Sequence, residues 1–266
     1  MSFAFDKFDS IPNLRLINNA RLIDKFIRLS SSSPNQIGAV WTSHLVPVAN
    51  GFETTFKFRI TDGRNPDHLE EHFPGADGLA FVIQNASSFA LGNFSGSIGY
   101  DGIPNSLEIE FDTYANDSTQ IENFNDPNNN LIAILSNGIG KNSSKHLPPY
   151  IRRQTTNILP IRTDGTIYYA KIVYSKDERK FTIWMDTTEN LVNPVLEVNG
   201  IDFSELLNLD EWEGVYIGFT SATGNSFENQ DILAWTFCTK SWKLYSSLQE
   251  TEHLSNNSKN LFFFSP

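Results

Sequence analysis

Apolar and polar positions alternate along much of the chain with the period of two that marks β-strands. In GFETTFKFRI (51–60), Phe52, Thr54, Phe56, Phe58 and Ile60 fall on one face, and Glu53, Thr55, Lys57 and Arg59 on the other. That predicts a strand with one wet side. GLAFVIQN (78–85) is a short unbroken apolar run, as expected of a strand buried on both faces. RLIDKFIRLS, SLEIEFDTY, NLIAILS, TIYYAKIVYS, KFTIWMD, GVYIGFT and ILAWTFC complete the set. Clusters of Gly, Asn, Asp and Pro separate them, as turn chemistry demands.

Helical character is confined to SELLNL at 204–209 and to the tail, where Trp242, Tyr245 and Leu248 recur every third residue. No internal repeat is visible. The pattern predicts an all-β fold, an antiparallel sandwich with sheets packed face to face. One domain spans 1–239 and a tail spans 240–266. The tail reads either as a helix packing its Trp242 face on the domain before a frayed end, or as a docking or export signal, given QETEH followed by LFFF.

Three long connections stand out: 61–77, 85–97 and 115–130. Loops longer than about 12 residues in a compact domain tend to carry function. All three are rich in Gly, Asn and Asp, which suit polyols and cations.

Composition narrows the classes. A chain of 266 residues can form one large all-β domain and bury its core without staples. With 39% apolar and 19% charged residues it is not disordered by composition. The net charge is −11, with Lys and Arg scattered, so no nucleic-acid partner and no anionic membrane surface is expected. The lone Cys238 excludes an internal disulfide and reads as a small buried hydrophobe. The N-terminal MSFAFDKFDSIPN lacks a basic stretch followed by an apolar run, and no segment approaches the roughly 20 apolar residues of a membrane span. The expectation is a protein made in the cytosol that either works inside a cell or leaves by a signal-independent route.

The candidate chemistry centres on SLEIEFDTYAND (106–117). In a strand, Glu108, Glu110 and Asp112 stand on one face, with Ile109 and Phe111 on the other. Three adjacent carboxylates could hold a cation, form a catalytic pair or line a solvated surface. Asp112, Asn116 and Asp126 supply hard oxygen donors, and the Tyr114 carbonyl can join them, which is the chemistry calcium prefers. Asn and Asp that merely cap turns would give the same composition.

EFDTYAN, NDP and LIAI, in that order, resemble the metal-and-sugar loop of the legume-type (L-type) lectins. FAFDKF, NLRLINNARLIDKFIRLS and GAVW resemble that family's opening strands. FKFRI followed by GADGLAFVIQN resembles its strand and Asp-Gly loop, SGSIGY its glycine loop, and GFTSATG with DILAWTF its closing signature. The resemblance covers about residues 3–238. It implies a legume-lectin-like (concanavalin-like) jelly-roll sandwich that binds sugars without transforming them. It implies that the Asp77 carboxylate accepts hydrogen bonds from sugar hydroxyls, behind an Ala76–Asp77 bond that the family often holds cis. It implies that Gly96 offers its N–H to the sugar, that Asn116 bridges sugar and calcium, and that Tyr114 packs against the pyranose. Asn225 and Ser226 would read sugar hydroxyls from the fourth loop. The short NSFENQ between TG and DIL resembles the mannose/glucose binders. Glycans or glycoproteins are the implied partners, and a homo-oligomer is an open option.

The family's second, transition-metal site uses a Glu, two Asp and a His. Glu110, Asp112 and Asp126 match, but the His position holds Leu131, so that site is expected to be lost or altered. Glu108 is a further departure, since the family places a small or apolar residue there. It could replace a ligand, pair with a base or be protonated by its neighbours.

Two other classes remain. The same sandwich serves glycoside hydrolases with paired carboxylates, here Glu108 and Glu110, about 5–5.5 Å apart in retaining enzymes. Their E-x-D-x-x-E pattern is incomplete, because Thr113 and Ala115 stand where the last acid should be. A sandwich that has lost sugar binding and serves as an interaction module is the other. HLEEH at 68–72 fits a zinc-peptidase pattern, but Pro66 and Pro74 leave at most about two helical turns for it.

Overall fold

The structure is a computed structural model that describes residues 1–66, 75–116, 123–209 and 213–240. HLEEH and the tail beyond Lys240 lie outside the described residues. The strands are β1 (Ser2–Phe5), β2 (Leu14–Asn18), β3 (Arg21–Ile23), β4 (Phe26–Ser30), β5 (Ile37–Thr42), β6 (Val46–Pro47), β7 (Phe52–Arg64) and β8 (Gly78–Gln84). They continue with β9 (Ser106–Asp112), β10 (Leu131–Ser136), β11 (Ile151–Thr155), β12 (Asp164–Ser175), β13 (Lys180–Asp186), β14 (Leu196–Asn199), β15 (Gly214–Ala222) and β16 (Phe227–Thr239). Among the described residues one short α-helix, α1 (Phe203–Leu206), is capped by the Asp202 carboxylate, which accepts from the Ser204 and Glu205 amides.

These strands form two eight-stranded antiparallel sheets. The first runs β14-β13-β12-β7-β16-β4-β3, with β1 also on β16; the second runs β11-β10-β9-β8-β15-β5-β2, with β6 on β15. Phe52, Phe56, Phe58 and Ile60 of β7 pack into one core with Leu79, Phe81 and Ile83 of β8, Leu107, Ile109 and Phe111 of β9, and Phe219 of β15. Phe56 meets Phe111 and Phe219 edge-on, the arrangement ring quadrupoles favour. This is the expected all-β sandwich. β7 runs on to Arg64, into the expected 61–77 loop, because Thr61 and Arg64 still find partners in β12 and β16. Among the described residues no helix is long and apolar enough to cross a membrane. Cys238 is half-buried near the end of β16.

The outer face of the second sheet is covered as well, and this positions the site. Ala80 and Val82 of β8 pack under Ile98, Tyr100 and Ile103 from the β8–β9 connection. Leu131, Ala133 and Leu135 of β10 pack under Tyr150 and Ile151. β9 lies between these strands, so its acidic face is sealed and every residue from Ser106 to Asp112 is buried.

Candidate functional site

Register explains how β9 fits its acids under cover. Glu110 is flanked across the sheet by Ala80 and Ala133. These small neighbours leave room above the carboxylate, and two polar groups from the covering loops fill it. The Tyr100 hydroxyl donates to Glu110 Oε2 at 2.5 Å, and His146 Nε2 lies 2.6 Å from Glu110 Oε1. Glu108 sits between Val82 and Leu135, with its carboxylate on the Asn142 amide. No lysine or arginine reaches it among the described residues. Burial pushes its pKa well above the carboxylate range, and the Glu110 charge adds to that. Burial thus favours the neutral form of Glu108, in line with the protonated option of the three. The solvated-surface reading of the acidic strand is overturned, because loops 85–105 and 137–150 close over it.

Asp112 ends β9. Its Oδ1 accepts from the Tyr114 amide at 2.7 Å, which turns the chain out of the sheet. Two residues on, the Asn116 amide donates to Asp126 Oδ2 at 2.6 Å, and the Asn116 carbonyl accepts from the Phe124 amide at 2.8 Å. These bonds hold Asn116 to Phe124 and Asp126 and bring Asp126 back beside Asp112. Burial, then the charges of Asp126 and Glu110, hold Asp112 well above its ordinary pKa, and Asp77 adds to this. Such a set of buried acids calls for positive charge.

His146 supplies one such charge. It sits in the β10–β11 connection, held by its own amide on the Phe124 carbonyl at 2.8 Å. Its Nδ1 faces Gln154 Oε1 at 2.5 Å and its Nε2 reaches Asp126 Oδ1 at 3.5 Å as well as Glu110. Burial pulls the imidazole pKa down, but the Glu110 and Asp126 carboxylates outweigh it and raise the pKa to about 9. One ligand atom each from Glu110, Asp112 and His146 lies within 4.8 Å of the others, close enough to share a metal ion.

Three further loops converge on this acidic corner. Ala76–Asp77 is a cis peptide. The Asp77 amide donates to the Ala222 carbonyl, and its carbonyl accepts from the Thr113 amide, each at 3.3 Å. That places Asp77 between the ends of β9 and β15. Gly96 lies in a 3-10 turn, Ser95–Ser97. A Cβ at Gly96 would strike the Asn116 amide oxygen and come within 2.7 Å of the Phe124 ring. The glycine is thus required for the approach of Asn116 and Phe124. The turn between β15 and β16 spans only residues 223–226, and a Cβ on Gly224 would lie 2.5 Å from Ser95 Oγ. Asn225 is exposed at its tip and Ser226 is buried.

A family profile described as the legume lectin beta-barrel domain matches residues 10–234. The chain belongs to the legume (L-type) lectin domain family. The chain is 24% identical, over 98% of its length, to the putative L-type lectin-domain containing receptor kinase I.10 of Arabidopsis thaliana, and spans 42% of that protein's length. It spans 36% of another Arabidopsis receptor kinase, VII.1. Among solved structures it resembles the exoplasmic/lumenal domain of VIP36 in its Ca2+/Man3GlcNAc-bound form. There the TM-score is 0.66 at 20% identity, covering 89% of this chain and 87% of that one. It equally resembles the Bauhinia forficata lectin in complex with GalNAc, with a TM-score of 0.66 at 20% identity over 89% and 96% of the two chains. At such identities these likenesses speak for the fold.

The lectin domain brings Asp77, Gly96, Tyr114, Asn116 and the 223–226 turn to one corner, beside Glu110, Asp112 and Asp126. The expectation drawn from Leu131 is a second site lost or altered, and the structure shows what surrounds that position. Leu131 does sit opposite Asp112, buried and unable to ligate. An imidazole nevertheless reaches the same carboxylates, from His146, which sequence reasoning passed over. Its only signal was a histidine in a polar loop 20 residues past Asp126, a separation that no local pattern marks.

Proposed function

We propose that this lectin domain binds glycans at the corner formed by residues 76–77, 95–99, 114–116 and 223–226, and that binding depends on calcium. The observation that carries the reading is the convergence of Asp77, Gly96 and Asn116 on the buried Asp112–Asp126 acids. Asp112, Asn116, Asp126 and the Tyr114 carbonyl form an all-oxygen donor set suited to calcium. A bound calcium would neutralise the acids and fix the Asn116 side chain. Glu110, Asp112, Asp126 and His146 make a mixed carboxylate–imidazole set of the kind a first-row transition ion takes.

Asp77 then presents a carboxylate for sugar hydroxyls, Asn116 its amide, Gly96 its N–H, and Tyr114 an aromatic face for the apolar side of a pyranose. Asn225 and Ser226 add polar contacts from the short fourth turn. The brevity of that turn favours mannose/glucose-type residues, and the VIP36 structure with Man3GlcNAc supports this, while the Bauhinia lectin with GalNAc marks the competing class. No catalysis is proposed. Glu108 and Glu110 are 0% and 1% exposed, and Glu110 is engaged by Tyr100 and His146, so neither carboxyl is presented to a glycosidic bond.

A glycan array probed with the full chain in calcium and in chelator tests the proposal. Calcium-dependent binding that favours mannosides and disappears in Asp77→Ala is expected. Array binding that persists in Asp77→Ala, or that is confined to galactosides, would overturn the site or the sugar class respectively.

A further inference from the structure

Glu228 is a second buried acid, and the metal and sugar reading leaves it unused. It lies at the start of β16, fully buried. Its Oε1 accepts from the Thr113 hydroxyl at 2.7 Å and from the Gln230 amide at 3.1 Å. Its Oε2 is buried with no hydrogen-bond partner among the described residues. A Cβ on Gly75 would lie 2.8 Å from that oxygen and 2.7 Å from the Glu228 Cβ, so the carboxyl packs directly against the Gly75 backbone. Gln230 also donates to the Ala76 carbonyl at 3.3 Å. Behind it, Ser30 bonds both the Gln230 amide oxygen and Ser221, at the end of β15.

Every element that frames Asp77 therefore meets this network. Gly75 touches the carboxyl itself, and Ala76 is held through Gln230. Thr113, whose amide donates to the Asp77 carbonyl, donates its hydroxyl to Glu228. Ser221 sits next to Ala222, whose carbonyl holds the Asp77 amide. We propose that Glu228 is a positioning residue that clamps the Gly75–Gly78 turn, and through it sets how well Asp77 is presented to sugar. This rests on the glycan-binding reading above.

The clamp carries its own pH dependence. Burial raises the Glu228 pKa to about 7; the hydrogen bonds from Thr113 and Gln230, and the nearby Gly78 amide, oppose the rise. Among the described residues the groups packed on the carboxyl are uncharged: the Gly75 backbone, Gly78 of β8, Thr113 after β9 and Gln230 of β16. The acids on these same elements have other places. Asp231 pairs with Arg28 and Arg59, while Asp77 and Asp112 belong to the binding corner. Among the described residues no cation offsets an ionised Glu228, so ionisation puts an unpaired buried charge behind the turn.

The test uses the full chain with saturating calcium. Affinity for a mannotrioside is measured by calorimetry from pH 5.5 to 8.5 in wild type, Glu228→Gln and Glu228→Ala, alongside amide exchange at Asp77 and Thr113 without sugar. Wild-type affinity is expected to fall severalfold as pH rises through about 7. Glu228→Gln keeps both donors satisfied and is expected to hold its low-pH affinity at pH 8. Glu228→Ala strands the Thr113 and Gln230 donors and is expected to bind on the order of tenfold more weakly throughout, with faster exchange at Asp77 and Thr113. Calcium's own pH dependence is common to wild type and Glu228→Gln and cancels in their comparison. Identical pH profiles in those two, or unchanged exchange in Glu228→Ala, overturn the clamp. If wild type binds no sugar, the glycan reading fails, and amide exchange alone still decides whether Glu228 holds the turn.

Discussion

His146 Nε2 lies 2.6 Å from Glu110 Oε1, joining a loop after β10 to the middle of β9. Among the described residues it is the basic side chain paired with the acidic face of that strand. In metal-free protein it acts as a counter-ion. Its folded pKa of about 9 lies above the ordinary 6.5, so its stabilisation is complete below pH 6.5 and is lost as pH rises through about 9. His146→Ala in chelated protein is expected to lower unfolding free energy by about 2–4 kcal/mol at pH 6. Urea titrations should show the gap between variant and wild type closing toward pH 10. A gap that is constant with pH would mean the ring acts by packing alone.

Glu108 gives the opposite kind of test. Its folded pKa is raised, so the neutral form is favoured in the fold. The sign follows: relative to an uncharged side chain, wild type loses stability as pH rises above the ordinary carboxylate value of 4.5. Glu108→Gln is expected to match wild type at pH 4 and to exceed it at pH 8, in thermal melts of chelated protein. Lower stability at pH 8 would show that Glu108 is ionised and paired.

Asp231 is a structural counterpart, away from the binding corner. Its carboxylate is fully buried and takes Arg28 at 2.7 Å and Arg59 at 3.0 Å, linking β4, β16 and β7. Asp231→Asn leaves two guanidinium groups without a counter-ion, and a cost of roughly 2–4 kcal/mol is expected because their heads keep some solvent. Sugar affinity of the folded fraction should be unchanged. A shift in affinity without a shift in denaturation midpoint would contradict this division.

Gly96→Ala separates packing from stability. The added methyl strikes the Asn116 amide and the Phe124 ring, and Ser97 and Ile98 can yield little because they are buried. Sugar affinity is expected to fall roughly tenfold or more, with a melting shift of only a few degrees, since the turn lies outside the main core. Normal affinity would place the sugar elsewhere.

Much of the framework is visible in the sequence because it is periodic. Phe52, Phe56, Phe58 and Ile60 alternate and are buried together; Leu79, Phe81 and Ile83 face the core while Ala80 and Val82 face a covering loop. The corner at Asp112, Asn116 and Asp126 is legible because its residues are close along the chain. The burial that favours a neutral Glu108, the imidazole of His146 and the Glu228–Gln230 network are not legible. Each depends on contacts between segments far apart in the chain, from 34 residues for Glu108 with Asn142 to 115 for Thr113 with Glu228, and no spacing rule encodes these. Leu131 shows the hazard: a lost residue at one position says nothing about a replacement arriving from another loop.

Calcium and Asp77 together are proposed to make the glycan site. The most direct measurement is a calorimetric titration of the full chain with a mannotrioside, in calcium, after chelation and after calcium is restored. Binding that vanishes on chelation, returns with calcium and is absent from calcium-loaded Asp77→Ala is the predicted result. An isotherm unchanged by chelation, or retained in Asp77→Ala, would contradict it.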